Sequence, residues 1–235
     1  MKSVLITGGS KGLGKELVNS FYNEGYKVFY TYNNTPIESS NCTSIKCDLR
    51  SDDDINNLIE FIKSNGGVDI LVNNAAIEYN SSIEEKTRDS FKETFDVNLI
   101  GPFLLCRELG KLMYEKKSGK IINISSNNSI DKYDMSTLEY DCSKASLNLL
   151  TKVLARELAP FVIVNAVLPG WILTDRIKEL DNSLNNIFIK EESNNNLLNR
   201  FATCDDICKL VLFLASDKSD YINGELIRID GGNKW

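Results

Sequence analysis

The chain of 235 residues contains no histidine. Imidazole is the side chain most often chosen to move protons near neutral pH and a frequent zinc ligand, so its absence removes the usual acid–base residue and most metal centres. The six cysteines, at positions 42, 47, 106, 142, 204 and 208, include no Cys-x-x-Cys pair. They read as free thiols of a reducing cytoplasm, and no metal is expected. No apolar run approaches the roughly 18 residues of a membrane span. The longest, from 161 to 173, is cut by Asn165 and by Pro169-Gly170. The N-terminus enters strand-like sequence at Val4 without the apolar stretch of a signal peptide. Positive charge is also scarce, with 27 Lys and Arg against 33 Asp and Glu, a net charge of −6 that argues against a nucleic-acid partner.

What is present is an alternation of short β-branched runs with amphipathic stretches. Strands are expected at 4–6, 28–32, 43–47, 70–72, 121–124, 162–168 and 225–229. Helices are expected at about 14–23, 52–64, 90–116 with a break near Gly101-Pro102, 138–158 and 207–215. Apolar strands alternating with helices predict an α/β fold: a single Rossmann-like doubly wound domain over 1–235, its parallel sheet of about seven strands covered on both faces. The segment 175–199, rich in Asn, Lys and Glu, reads as a partly helical insertion, either a lid over a site or a surface excursion.

Two clusters carry chemistry. Thr7-Gly8-Gly9-Ser10-Lys11-Gly12-Leu13-Gly14 lies between the first strand and the first helix. Glycines there let the backbone turn sharply and approach a pyrophosphate, and the helix N-terminus offers free N–H groups. The spacing, Gly-x-x-x-Gly-x-Gly, differs from the commonest dinucleotide fingerprint. Tyr140 and Lys144 stand four apart in a helical stretch, which places both on one face. A nearby ammonium lowers a phenol's pKa, and such a tyrosine replaces the missing imidazole. Taken alone, the same pair reads as a solvated helix face.

These motifs, with Asn73-Asn74-Ala75-Ala76, Asn98, Ser125-Ser126, Pro169-Gly170 and Asp230-Gly231-Gly232, resemble the short-chain dehydrogenase/reductase family in order and spacing over about residues 3–233. The stretches Arg200-Phe201, Asp205-Asp206-Ile207, 213–217 and 221–225 are most similar to the 3-oxoacyl-acyl-carrier-protein reductase type. The resemblance implies a catalytic group of Asn98, Ser126, Tyr140 and Lys144. In that group Tyr140 is the general acid, Ser126 polarises the carbonyl, Lys144 tunes Tyr140 and holds the nicotinamide ribose, and Asn98 holds a water linked to Lys144. It also implies cofactor contacts from Gly8, Ser10, Lys11, Gly12, Leu13 and Gly14, from Tyr32, Asn33, Asp48 and Leu49, from Asn74, Ala75 and Ala76, from Tyr140 and Lys144 themselves, and from Pro169, Gly170, Ile172 and Thr174.

The second strand ends in Tyr32-Asn33-Asn34 with no carboxylate to accept from a ribose 2′-hydroxyl and repel a 2′-phosphate, and Lys11 supplies a cation. Both favour NADP(H) over NAD(H). The expected activity is NADPH-dependent reduction of a ketone, either a 3-oxoacyl thioester or a small polar carbonyl compound. The alternatives are an NAD-dependent alcohol dehydrogenase of the same family and a nucleotide-sensing relative without catalysis. Departures from the family pattern gather around the pocket: Ala76 for a usual Gly, Asn127-Asn128-Ser129 after Ser126, and a segment up to Tyr140 carrying Asp131, Lys132, Asp134 and Glu139. Lys111, Lys116, Lys117 and Lys120 form a candidate basic patch for an acyl carrier protein. The family's habit predicts a homotetramer or homodimer built on the two long helices.

Overall fold

The structure, a computed structural model, describes residues 1–37, 41–130 and 134–233. Asp131 and Lys132 of the expected pocket wall fall outside the described residues. Seven strands, β1 (Ser3–Ile6), β2 (Lys27–Tyr32), β3 (Thr43–Lys46), β4 (Ile70–Asn73), β5 (Gly119–Ile124), β6 (Val162–Pro169) and β7 (Leu226–Ile229), form one sheet in the order β3-β2-β1-β4-β5-β6-β7. Every neighbouring pair is parallel. This is the doubly wound α/β architecture expected from the alternation of elements, and its strand order reverses between β1 and β4. Ligands of such sheets bind beyond the strand C-termini at that reversal.

The helices are α1 (Gly12–Asn23), α2 (Asp52–Ser64), α3 (Arg88–Phe95), α4 (Gly101–Glu115), α5 (Leu138–Glu157), α6 (Asp175–Ser183), α7 (Phe188–Ser193) and α8 (Cys204–Ala215). Continuous β-branched strands explain a sheet buried on both faces. On one face Leu5, Phe29, Leu71, Ile121 and Val164 pack with Ile55, Leu58 and Ile62 of α2 and with Leu105, Leu109 and Met113 of α4. On the other, Val4, Ile6, Val28, Tyr30, Val72 and Ile122 pack with Leu17, Val18 and Phe21 of α1 and with Ile207, Val211 and Leu214 of α8. Burying one such side chain fully stabilises by about 1.5–3 kcal/mol.

Helix ends follow local chemistry. Ser51 caps α2, accepting from the Asp54 N–H at 3.2 Å, and three aspartates occupy its first turn, favourable at the positive end of the dipole. Thr203 and Asp206 form a capping box that starts α8 three residues before the expected Ile207. The long helix expected at 90–116 is two helices joined by a π turn, Asp96–Ile100. The break therefore precedes Gly101-Pro102. Pro102 lacks the N–H that would close the helical bond to Asn98, so the backbone distorts in the turn before it.

The segment 175–199 contains α6 and α7. It is tied to the chain after β6 by a cluster in which the Trp171 ring meets Phe188 edge-on at 5.3 Å and stacks on Phe201 at 5.9 Å. Among the described residues no helix is long and apolar enough to cross a membrane.

Candidate active site

The loop between β1 and α1 turns through glycines that a side chain would block. Gly8 has φ +65°, and a Cβ there would sit 2.9 Å from the Ala75 Cα. A Cβ on Gly14 would lie 2.1 Å from the Gly8 carbonyl oxygen, because the first turn of α1 rests directly on the loop. Thr7 and Asn74 lock this arrangement. The Thr7 hydroxyl accepts from the N–H groups of Asn74 and Ala75, both at 3.0 Å, and the Asn74 amide donates to the carbonyls of Thr7 and Gly8 at 2.9 and 3.2 Å.

Beyond the loop, α1 begins with no side-chain cap and no acidic residue in its first turn, unlike α2. A Cβ added to Gly12, at φ +52°, would enter the space facing Thr174, whose Cγ2 lies 3.6 Å away. An uncapped helix start, a cradle without side chains and an exposed Lys11 fit a phosphate-bearing cofactor. Gly14→Ala is expected to destabilise the fold by about 1–3 kcal/mol and to weaken NADPH binding at least about tenfold. Denaturant unfolding and fluorescence titration measure the two effects. Unchanged affinity would place the nucleotide elsewhere.

At the end of β2, Asn33 contributes to holding Asp48 below its ordinary pKa, after Arg50. Arg50 grips the same carboxylate with contacts of 2.6, 3.0 and 3.1 Å, which holds Asp48 below its ordinary pKa. Arg50 was not among the expected site residues, although its spacing two residues past Asp48 signals the pair. Leu49 is buried, and its Cβ lies 3.0 Å from where a Cβ on Gly101 would stand.

Across the cleft, Ser126 follows β5 and its hydroxyl accepts from the Asn128 N–H at 3.2 Å, capping the short turn Asn127–Ser129. The same residue lines one cavity with Tyr140, and its hydroxyl acts to lower the Tyr140 phenol. Ser126 is thus both a turn cap and a neighbour of the phenol. Helix α5 presents a polar face inward: Glu139, Asp141, Ser143, Lys144, Asn148 and Thr151 are all buried. Such a face is compatible with folding only when its members are partnered, and an inward polar face is the sequence signal that marks α5 as more than a core helix.

Lys144 is 2% exposed, donates to the Ile124 carbonyl at 2.7 Å and lies 5.6 Å from the centre of the Tyr140 ring. Burial lowers it from the ordinary lysine value to about 7. Tyr140 is half-buried at the cavity wall. Burial pushes that phenol up, and the charge of Glu78 adds to the effect. Burial thus acts on Tyr140 in the direction opposite to the lowering expected from Lys144.

Asn98 lies in the π turn, fully buried. Its Oδ1 accepts from the Ile77 N–H at 2.9 Å, and its Nδ2 donates to the Ile77 carbonyl and the Ser143 hydroxyl, each at 3.0 Å. The side-chain amide is committed to Ile77 and α5, so it positions the chain that follows β4. Asn73, within β4, donates to Asn123 at 2.8 Å in a buried network continued to Thr151 at 2.9 Å.

A family model described as enoyl-(acyl carrier protein) reductase matches residues 8–234. The chain belongs to the short-chain dehydrogenase/reductase family. It is 32% identical to the 3-oxoacyl-[acyl-carrier-protein] reductase FabG of Staphylococcus epidermidis, with 98% of each chain covered. Among solved structures it is similar to ElxO with NADP bound, at a TM-score of 0.91 and 29% identity, covering 98% of this chain and 97% of that one. It is also similar to a 4-hydroxyisoleucine dehydrogenase complexed with NADH, at a TM-score of 0.90 and 30% identity, covering 99% and 98%.

As a short-chain dehydrogenase/reductase the protein is an oxidoreductase acting on CH–OH and C=O groups, and its cofactor class is a nicotinamide dinucleotide. The described structure brings Ser126, Tyr140, Asn127, Asn128, Gly170, Trp171 and Glu78 around one cavity of about 90 Å³. Pro169 ends β6, the Gly170 N–H donates to the Ile229 carbonyl at 3.2 Å, Ile172 pairs with Ala202, and Thr174 starts α6 opposite Gly12.

Of the four lysines of the candidate basic patch, Lys111, Lys116 and Lys117 are exposed and Lys120 is buried. Lys120 is 8% exposed and pairs with Asp220 at 2.7 Å, and the Lys116 ammonium bonds the Gly66 carbonyl.

Proposed function

We propose that the protein is an NADPH-dependent carbonyl reductase, acting on a 3-oxoacyl thioester or a small polar carbonyl compound. The convergence of Ser126 and Tyr140 on the wall of one cavity carries this reading. A carbonyl oxygen placed against that pair receives a hydrogen bond from Ser126 and a proton from Tyr140, whose raised pKa keeps it protonated at neutral pH. The cofactor supplies hydride to the carbonyl carbon, so that the products are a secondary alcohol and the oxidised nucleotide. Gly8, Ser10, Lys11, Gly12, Leu13 and Gly14 would hold its pyrophosphate, and Tyr32, Asn33, Asp48 and Leu49 its adenosine. Asn74, Ala75, Ala76 and Lys144 would line its ribose, and Pro169, Gly170, Ile172 and Thr174 its carboxamide. The helices α6 and α7 form the lid, with α6 opening opposite the glycine loop.

The preference for NADPH rests on the missing carboxylate after β2 and on exposed Lys11. The kcat/KM with NADPH is expected to exceed that with NADH by at least about tenfold, and Asn33→Asp should shift the ratio toward NADH by a similar factor through repulsion of the 2′-phosphate. Steady-state rates with both nucleotides check this, and equal values for the wild type would overturn it. Exposed Phe103 on α4, with Leu149 and Val153 on α5, supports a homodimer or homotetramer joined through those helices. An acyl carrier protein remains a partner only on the thioester branch.

A further inference from the structure

Glu78 places a carboxylate on the wall of the cavity that holds the Tyr140 and Ser126 hydroxyls. Its position is built rather than incidental. The preceding residue, Ile77, has its N–H and its carbonyl both fixed by Asn98. The following residue, Tyr79, is held through its carbonyl by the Lys86 ammonium at 3.2 Å. That ammonium, on a side chain only 4% exposed, also donates to the Ser136 carbonyl at 2.7 Å and pairs with the Glu139 carboxylate at 2.7 Å, immediately before Tyr140. The segment bearing Glu78 is therefore fastened from two sides to the helix bearing the phenol.

From the lid, Arg176 of α6 reaches the Glu78 Oε1 at 3.3 Å. This pairing offsets part of the charge and leaves a carboxylate with unused acceptor capacity toward the cavity.

We infer that Glu78 reads a hydroxyl group on the carbon beside the reacting carbonyl, so that the substrate class is a small neutral hydroxyketone or its vicinal diol. The inference rests on the reductase reading and narrows it. The remaining wall suits the same ligand: Asn127 and Asn128 supply amides that both donate and accept, and Trp171 supplies an apolar face for carbon–hydrogen bonds. A plain alkyl ketone or an acyl thioester would strip water from the carboxylate and return no donor, which costs about tenfold or more in binding. An anionic keto acid would meet repulsion at the same place. The cavity, about 90 Å³, is far below the roughly 300–1,000 Å³ of pockets that bury drug-sized ligands. Glu78 also disfavours the phenolate of Tyr140, and a substrate hydroxyl bonded to the carboxylate weakens that influence as the alkoxide forms.

The test compares 1-hydroxy-2-butanone with 2-butanone and an acetoacetyl thioester, reading NADPH consumption. The wild type should favour the hydroxyketone by at least about tenfold in kcat/KM. Glu78→Ala should lower the rate on the hydroxyketone and raise it on 2-butanone, bringing the ratio close to one. Glu78→Gln, which keeps the shape and one acceptor oxygen, should retain part of the preference and serves if the alanine variant does not fold. A ratio unmoved in both variants, or a wild-type preference for the thioester, overturns the inference. If Tyr140→Phe abolishes reduction while the ratio ignores Glu78, the reductase reading stands and the inference falls. Tryptophan fluorescence titration with the two butanones separates the reverse case. In an enzyme that turned over neither, a hydroxyl preference lost in Glu78→Ala would uphold the inference, and equal affinities would overturn it.

Discussion

Tyr140→Phe is expected to lower kcat for carbonyl reduction by about 10²–10⁴-fold, the usual contribution of a positioned general acid. The substitution removes one oxygen and keeps the ring, so the packing above Lys144, 5.6 Å from the ring centre, persists. Binding of NADPH should change by less than about threefold, because the glycine loop and its locks at Thr7 and Asn74 are untouched. The chain has no histidine to take over the proton transfer. Among the described residues lining the cavity, the other hydroxyl is Ser126, an alcohol far less acidic than a phenol and so a poor proton donor. Rapid mixing of enzyme with NADPH and a saturating ketone isolates the chemical step, and a parallel fluorescence titration reports binding. A loss under about tenfold would show that water delivers the proton and that Tyr140 is a wall of the cavity.

How much of this site could be read from the sequence depends on the range of each interaction. The strands and the glycine loop are local patterns: β-branched runs set β1 to β7, and the positive φ values of Gly8 and Gly12 are a need that glycine meets at no steric cost. Arg50 lies two residues from Asp48 and was legible in principle. Partners far apart in the chain leave no such trace. Asn98 meets Ile77 from 21 residues away and Arg176 meets Glu78 from 98, so neither the partners of the Asn98 amide nor the place of Glu78 in the pocket could be read from the sequence. The spacing of Tyr140 and Lys144 correctly placed both on one helix face, yet spacing carries no information about depth. Depth decides the electrostatics: a lysine at the surface lowers a neighbouring phenol, whereas one that is 2% exposed is itself driven toward neutrality. The π turn at Asp96–Ile100 shows the same division, since proline announces a break but not the turn in which the strain is absorbed.

The depth of Lys144 leads to the second large effect. Lys144→Met should reduce kcat/KM at least about 10²-fold, by removing the cation expected to hold the nicotinamide ribose, and should raise stability at pH 7 by on the order of 1–2 kcal/mol. Burial holds the folded pKa near 7, below the 10.5 of an ordinary lysine. Between those values the unfolded chain binds more protons than the folded one, so stability rises with pH across that window, by at most about 1.4 kcal/mol per pH unit. Below about pH 7 both states carry the proton, and the cost of the buried charge is present in full. Methionine fills similar space without a charge, so the variant should lack this slope and gain most at or below pH 7. Loss of the 2.7 Å bond to the Ile124 carbonyl offsets about 1 kcal/mol of the gain. Urea midpoints for both proteins at pH 6.5, 8 and 9.5 separate the terms. A wild type and variant with parallel pH dependence would mean that Lys144 keeps its proton in the fold. It would then have to be charged beside Tyr140, and the tuning of the phenol by lysine would regain its footing.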